Sequence, residues 1–88
     1  MKLEFIPESD AEFTEIIEYY QDIEPGLGLR FRDEVLRTLN WIVEHAEKPR
    51  LRKSDYRRIN LKVFPYYIAY VVRNQIVYII AIAHSHRK

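Results

Sequence analysis

The feature that most limits how this chain can fold is a change of hydrophobic period partway along it. Between residues 10 and 45 the apolar side chains recur at helical spacing, whereas from residue 57 onward they alternate with a period of two. A chain built this way is neither a helical bundle nor a β-sandwich, and it must pack a helical layer against a sheet.

In the first half, Phe13, Ile16, Ile17 and Tyr20 fall on one helical face, with Glu15, Glu18 and Asp22 on the others. Ser9 followed by Glu12 has the form of a capping box, so the spacing predicts a helix from roughly Asp10 to Asp22. Pro25-Gly26-Leu27-Gly28 holds both glycines of the chain and interrupts the pattern. Phe31, Val35, Leu39 and Ile42, flanked by Leu36 and Val43, then restart it. Two amphipathic helices with so short a connection are expected to pack as an antiparallel hairpin. Ahead of them, Leu3 and Phe5 alternate with Lys2 and Glu4 in a short strand, Lys2 to Ile6, which Pro7 should stop.

The second half opens with a stretch from Ala46 to Tyr56 that lacks sustained periodicity and carries Lys48, Pro49, Arg50, Arg52 and Lys53. It reads as a basic loop and the most mobile segment of the chain. Ile59, Leu61 and Val63 then alternate with Arg58, Asn60 and Lys62. Pro65 introduces a strand from Tyr66 to Val72, and Arg73-Asn74-Gln75 separates it from Ile76 to Ala83. The predicted order is β-α-α-β-β-β, an α+β fold with a helical hairpin on one face of a small, mostly antiparallel sheet and the other face partly open. Eighty-eight residues, 48% of them hydrophobic, suffice for one core and one domain spanning 1–88.

Several function classes drop out on composition. With no cysteine there is no disulfide, thiolate nucleophile or Cys-type zinc site. The first residues are too charged for a signal peptide, and the longest apolar run, Ile76 to Ala83, is far short of a membrane span, so a cytoplasmic location without membrane contact is expected. The formal net charge of +1 conceals a split: residues 1–47 carry four basic against twelve acidic side chains, and residues 48–88 carry ten basic against Asp55 alone. The halves can attract each other across the fold, or the basic half can face a polyanion such as RNA or an acidic partner segment.

The segment Tyr56-Arg57-Arg58-Ile59-Asn60-Leu61-Lys62-Val63-Phe64-Pro65-Tyr66-Tyr67-Ile68-Ala69-Tyr70 resembles the central signature of the RelE/ParE toxin superfamily, in which an arginine on one strand precedes a Phe-Pro-Tyr turn and an Ile-x-Tyr strand. The tail Ala83-His84-Ser85-His86-Arg87 resembles that family's His-x-x-Arg ending, and the acidic first helix and the Gly28-to-Phe31 start of the second follow the family's order. The resemblance implies the toxin of a type II toxin-antitoxin system, also described as plasmid stabilisation, which arrests growth when its cognate antitoxin decays. It offers two targets: the ribosome and its mRNA, cut by RelE-like members, or DNA gyrase, inhibited by ParE-like members. Shared fold does not choose between them. A third possibility is an inactive member that keeps antitoxin binding alone. Without its antitoxin the chain is expected to self-associate through uncovered apolar grooves.

Metal-independent RNA cleavage, the leading expectation, needs a group to take a proton from the 2′-hydroxyl, a donor for the leaving oxygen and cations on the phosphate. No cofactor or metal is called for; His84 and His86 lack nearby carboxylates in sequence and make a poor zinc pair. Arg58, His84 and Arg87 are the candidate catalytic residues. Arg50, Arg52, Lys53, Lys62 and Arg73 are candidate RNA or phosphate contacts. Arg58 and Lys62 share strand parity and should form a row of cations on one sheet face. Against this, Arg57 or Arg58 can pair with a helix glutamate, the histidines can be hydrogen-bonded locally, and the strand tyrosines can simply pack. Trp41 is either core or an anchor for a partner.

Overall fold

The computed structural model describes residues 1–86 and gives the predicted order, β1 (Lys2–Phe5), α1 (Pro7–Ile23), α2 (Leu27–Glu44), β2 (Arg57–Asn60), β3 (Tyr66–Arg73) and β4 (Ile76–His84). The sheet order is β1-β4-β3-β2; β1 lies parallel to β4, and the other two pairings are antiparallel. Among the described residues no helix is long and apolar enough to cross a membrane.

The helices pack antiparallel, since Phe13 meets Phe31 while Ile17, further along α1, faces Gly28, earlier along α2. A Cβ on Gly28 would lie 2.3 Å from the Ile17 carbonyl oxygen, so this crossing requires glycine. Gly26 sits at φ +93° as the N-cap of α2 and supplies no side-chain cap. The cap comes instead from α1: Gln21 Oε1 accepts the N–H groups of Gly26, Gly28 and Leu29 at 2.9, 2.8 and 3.3 Å. Phe31, Val35, Leu39 and Ile42 of α2 form the core with Ile68 and Tyr70 of β3 and Val77, Ile79 and Ile82 of β4.

Three boundaries differ from the sequence expectation. Helix α1 begins at Pro7, whose missing N–H costs nothing in a first turn, and the predicted capping box does not form. Ser9 is fully buried and shares its hydroxyl proton between the carbonyls of Ile6 and Ile79, at 3.0 and 2.6 Å, while Glu12 accepts the Ile82 N–H. Both side chains tie α1 to β4 rather than closing the helix on itself. Strand β2 ends at Asn60 rather than Val63, because buried Glu34 of α2 accepts the backbone N–H groups of Lys62 and Val63 and draws that segment away from the sheet.

The basic loop is anchored at several points. Arg57 Nε donates to the Pro49 carbonyl at 2.8 Å, the Tyr70 hydroxyl to that of Ala46 at 2.7 Å, and Arg52 bridges Tyr56 across a turn in which Ser54 and Asp55 have positive φ. Asn74 and Gln75 form the two-residue turn between β3 and β4, both at positive φ, as the sheet's twist favours.

Candidate functional site

Strand alternation assigns each candidate to a face. Tyr66 stacks edge-on against Phe31 and Tyr20, so it faces the helices, and its neighbour Tyr67 faces away. Arg58 lies on the open face with Tyr67, its guanidinium carbon 4.4 Å from the ring centroid. Its Nε is buried and has no hydrogen-bond partner among the described residues. The Arg58 side chain is thus held by stacking, and its helix-facing neighbour Arg57 by Pro49; neither is paired with a helix glutamate.

His84 is on the other side. It is in register with Tyr66, their ring centroids 5.1 Å apart at 75°, and its Nδ1 accepts the His86 N–H at 3.2 Å. The switch is made by a bulge: Ala69 pairs with Ala81 but Tyr70 with Ile79, so Ile80 is an extra residue and the parity of β4 reverses beyond it. Arg58 pairs with Ala69, three residues along β3 from Tyr66, so it is also about 10 Å further along the sheet than His84. The expected grouping of Arg58 with His84 does not occur. Arg87 lies outside the described residues.

The row of cations is corrected as well. Lys62 is exposed beyond the end of β2, turned from the sheet by Glu34, and does not extend Arg58's face. Arg50 and Lys53 are exposed in the anchored loop and Arg52 is half-buried there. Arg73 is at the far end of β3, donating to the Val72 carbonyl at 2.8 Å. The described ion pairs, Arg30–Glu24 and Arg32–Asp33, both lie within the acidic half, so no described salt bridge joins the two charge halves.

Two phenols between the helices and the sheet, Tyr20 and Tyr70, give up their protons less readily than a free tyrosine. Burial, reinforced by neighbouring Tyr66, pushes Tyr20 up to about 12. Burial also raises Tyr70, with Arg57 pulling partly the other way. The open face instead offers Tyr67, Val71 and Tyr78 beside Arg58 and Arg73, an aromatic and basic surface suited to packing against a macromolecule. Glu34 and Gln21, which shape the loop after β2 and the start of α2, were not marked by the sequence; both satisfy backbone groups distant in the chain, and no local motif signals that.

A family model described as ParE toxin of type II toxin-antitoxin system, parDE, matches residues 3–88. Among solved structures, a chain of the chromosomal ParDE system from P. aeruginosa is similar, with a TM-score of 0.85 and 17% identity, covering 96% of this chain and 95% of that one. The isolated E. coli RelE toxin gives 0.73 at 18% identity, covering 99% and 86%. A chain of the intact E. coli RelBE toxin-antitoxin complex gives 0.75 at 21%, covering 98% of each. Among curated proteins no sequence matches. These likenesses establish the shared fold.

Proposed function

Because this chain belongs to the ParE toxin family of type II toxin-antitoxin systems, we propose that it arrests growth by binding and inhibiting a target protein, DNA gyrase, and that an antitoxin silences it. The observation carrying this reading is the separation of Arg58 and His84 on opposite faces of the sheet. A nuclease needs its cation and its proton-transfer group around one phosphate, within hydrogen-bond reach of the reacting atoms. A protein-binding inhibitor needs only an exposed aromatic and basic surface. An antitoxin partner is supported by the fold shared with chains of the ParDE system and the RelBE complex.

The ribosomal mRNA reading draws on a different observation, the excess of basic residues in 48–88. One pair of assays separates the two. The purified chain, added in excess to gyrase, relaxed plasmid and ATP, is expected to block supercoiling and trap gyrase-DNA complexes. Normal supercoiling at saturating chain would overturn the proposal. In cell-free translation, primer extension on a reporter mRNA is expected to show no new ends. Ribosome-dependent ends that vanish in Arg58→Ala would establish cleavage instead.

A further inference from the structure

One stretch of the sheet's edge is protected neither by a neighbouring strand nor by charges of its own. Strand β1 pairs with β4 only from Ile76 to Ile79, whereas β4 continues to His84, so from Ile80 onward its outer side has no strand beside it. The two edge strands are each four residues long and carry charged side chains, Lys2 and Glu4 on β1 and Arg57 and Arg58 on β2. Short length and charge discourage pairing with another chain. Ile80-Ala81-Ile82-Ala83 is instead apolar, uncharged and free of proline, the composition that pairs most readily.

Protection comes from the segment that leaves β1. The Ile6 N–H and the Ser9 hydroxyl both donate to the Ile79 carbonyl, at 3.2 and 2.6 Å, and Glu12 Oε1 accepts the Ile82 N–H at 3.0 Å. Because that N–H points outward, strand alternation sends the Ile82 carbonyl and the His84 N–H the same way. The Ser85 N–H turns back to the Pro65 carbonyl, on the β3 side. No described hydrogen bond reaches the outward Ile82 carbonyl or His84 N–H. A cavity of about 340 Å³, lined by Glu12, Glu15 and Ile16 of α1 and by Ile82 and His84 of β4, leaves this edge open to solvent, with one carboxylate at its middle.

We propose that Glu12 closes this edge against a second copy of the chain. A residue whose N–H and carbonyl both point outward is self-complementary: two antiparallel β4 edges, related by a two-fold axis at Ile82, can exchange N–H to carbonyl bonds between their Ile82 residues and join the sheets. The carboxylate opposes this in two ways. It occupies the central donor, and with exposed Glu15 it would bring acidic groups of both copies to one seam. The same acidic rim disfavours a nucleic-acid strand at this edge. The device keeps the longest strand of the sheet from joining another copy, whatever target the chain acts on.

The test is sedimentation equilibrium of the intact chain from about 5 to 500 µM, with amide hydrogen exchange at both ends of that range. Glu12→Ala is expected to rise toward twice the parent's apparent mass, its Ile82 amide protected about tenfold or more at the high concentration relative to the low one. Glu12→Gln keeps an acceptor, and Glu8→Ala removes an exposed charge from the same helix; both are expected to match the parent. In the Glu12→Ala chain, His84→Pro deletes an outward N–H but no ladder bond, and should restore the single-chain mass. If circular dichroism shows Glu12→Ala unfolded, Glu12→Met, which keeps the stem's packing without an acceptor, is read in its place. A folded variant whose mass and exchange follow the parent's would overturn the proposal. So would association that leaves the Ile82 amide exchanging freely, or equal association of Glu8→Ala. Edge pairing does not involve gyrase, so this result and that of the supercoiling assay are independent.

Discussion

At the scale of single residues, the strongest constraint is Glu34, a 6%-exposed carboxylate that holds two backbone N–H groups 28 and 29 positions away. Replacing it with alanine strands both donors near the core, and charge-assisted bonds of this kind contribute roughly 1.5–3 kcal/mol. Glu34→Ala is therefore expected to lose about 2 kcal/mol in urea unfolding. Glu34→Gln, which keeps one carbonyl acceptor, should lose less; an unfolding midpoint unchanged in Glu34→Ala would mean that the carboxylate does not hold the loop. Arg58 gives the opposite case. Its stack on Tyr67 is worth about 0.5–1 kcal/mol, while its buried Nε has no partner among the described residues and detracts from stability. Arg58→Met keeps the stem's packing and removes the unpaired donor, so its unfolding midpoint should stay within about 1 kcal/mol of the parent. Such a variant isolates any role of the charge in function from its role in folding.

At the scale of elements, what was legible in the sequence is what depends on local period. The helical spacing of Phe13, Ile16, Ile17 and Tyr20, and the alternation along β3, placed the elements and their order correctly because burial on one face is a property of neighbouring residues. What failed depended on distant partners. Ser9 and Glu12 fit a capping box, but Pro7 starts the helix earlier and the main chain of β4 claims both side chains. The grouping of Arg58 with His84 failed on one residue, since counting by twos along β4 cannot register the bulge at Ile80 that turns His84 toward the helices. Both glycines were read as a breaker, whereas Gly28 has a second role: it lets α2 approach α1 closely enough for Gln21 to cap it. Gly28→Ala must push against the Ile17 carbonyl and displace Gln21, and overpacking of this kind costs about 1–3 kcal/mol. Thermal unfolding checks it; a midpoint equal to the parent's would show that the helices can separate without loss.

For the whole molecule, the division into an acidic and a basic half was plain in the sequence, but its consequence was not. Attraction between the halves was one expectation, yet no described ion pair crosses between them, and Lys48, Arg50, Lys53, Lys62 and Arg73 of the second half are left exposed. Stability at neutral pH therefore rests on the packed interior, where Tyr20 and Tyr70 place phenols against the aromatic cluster and the Ala46 carbonyl. That arrangement makes the fold sensitive to alkali. An unfolded chain releases phenolic protons near the ordinary value of about 10, whereas the folded chain keeps the Tyr20 proton to about 12 and that of Tyr70 above its ordinary value. Since the folded state binds the protons more tightly, their contribution is complete below about pH 10 and is lost progressively as pH rises toward 12. Urea midpoints taken at stepped pH are expected to fall across that window, together with the appearance of tyrosinate absorbance on unfolding. In Tyr20→Phe the fall should be shallower, because one of the two linked protons is gone. A slope identical to the parent's would mean that Tyr20 ionises alike in both states and that its burial among Phe31, Phe64 and Tyr66 does not govern the alkaline limit of the fold.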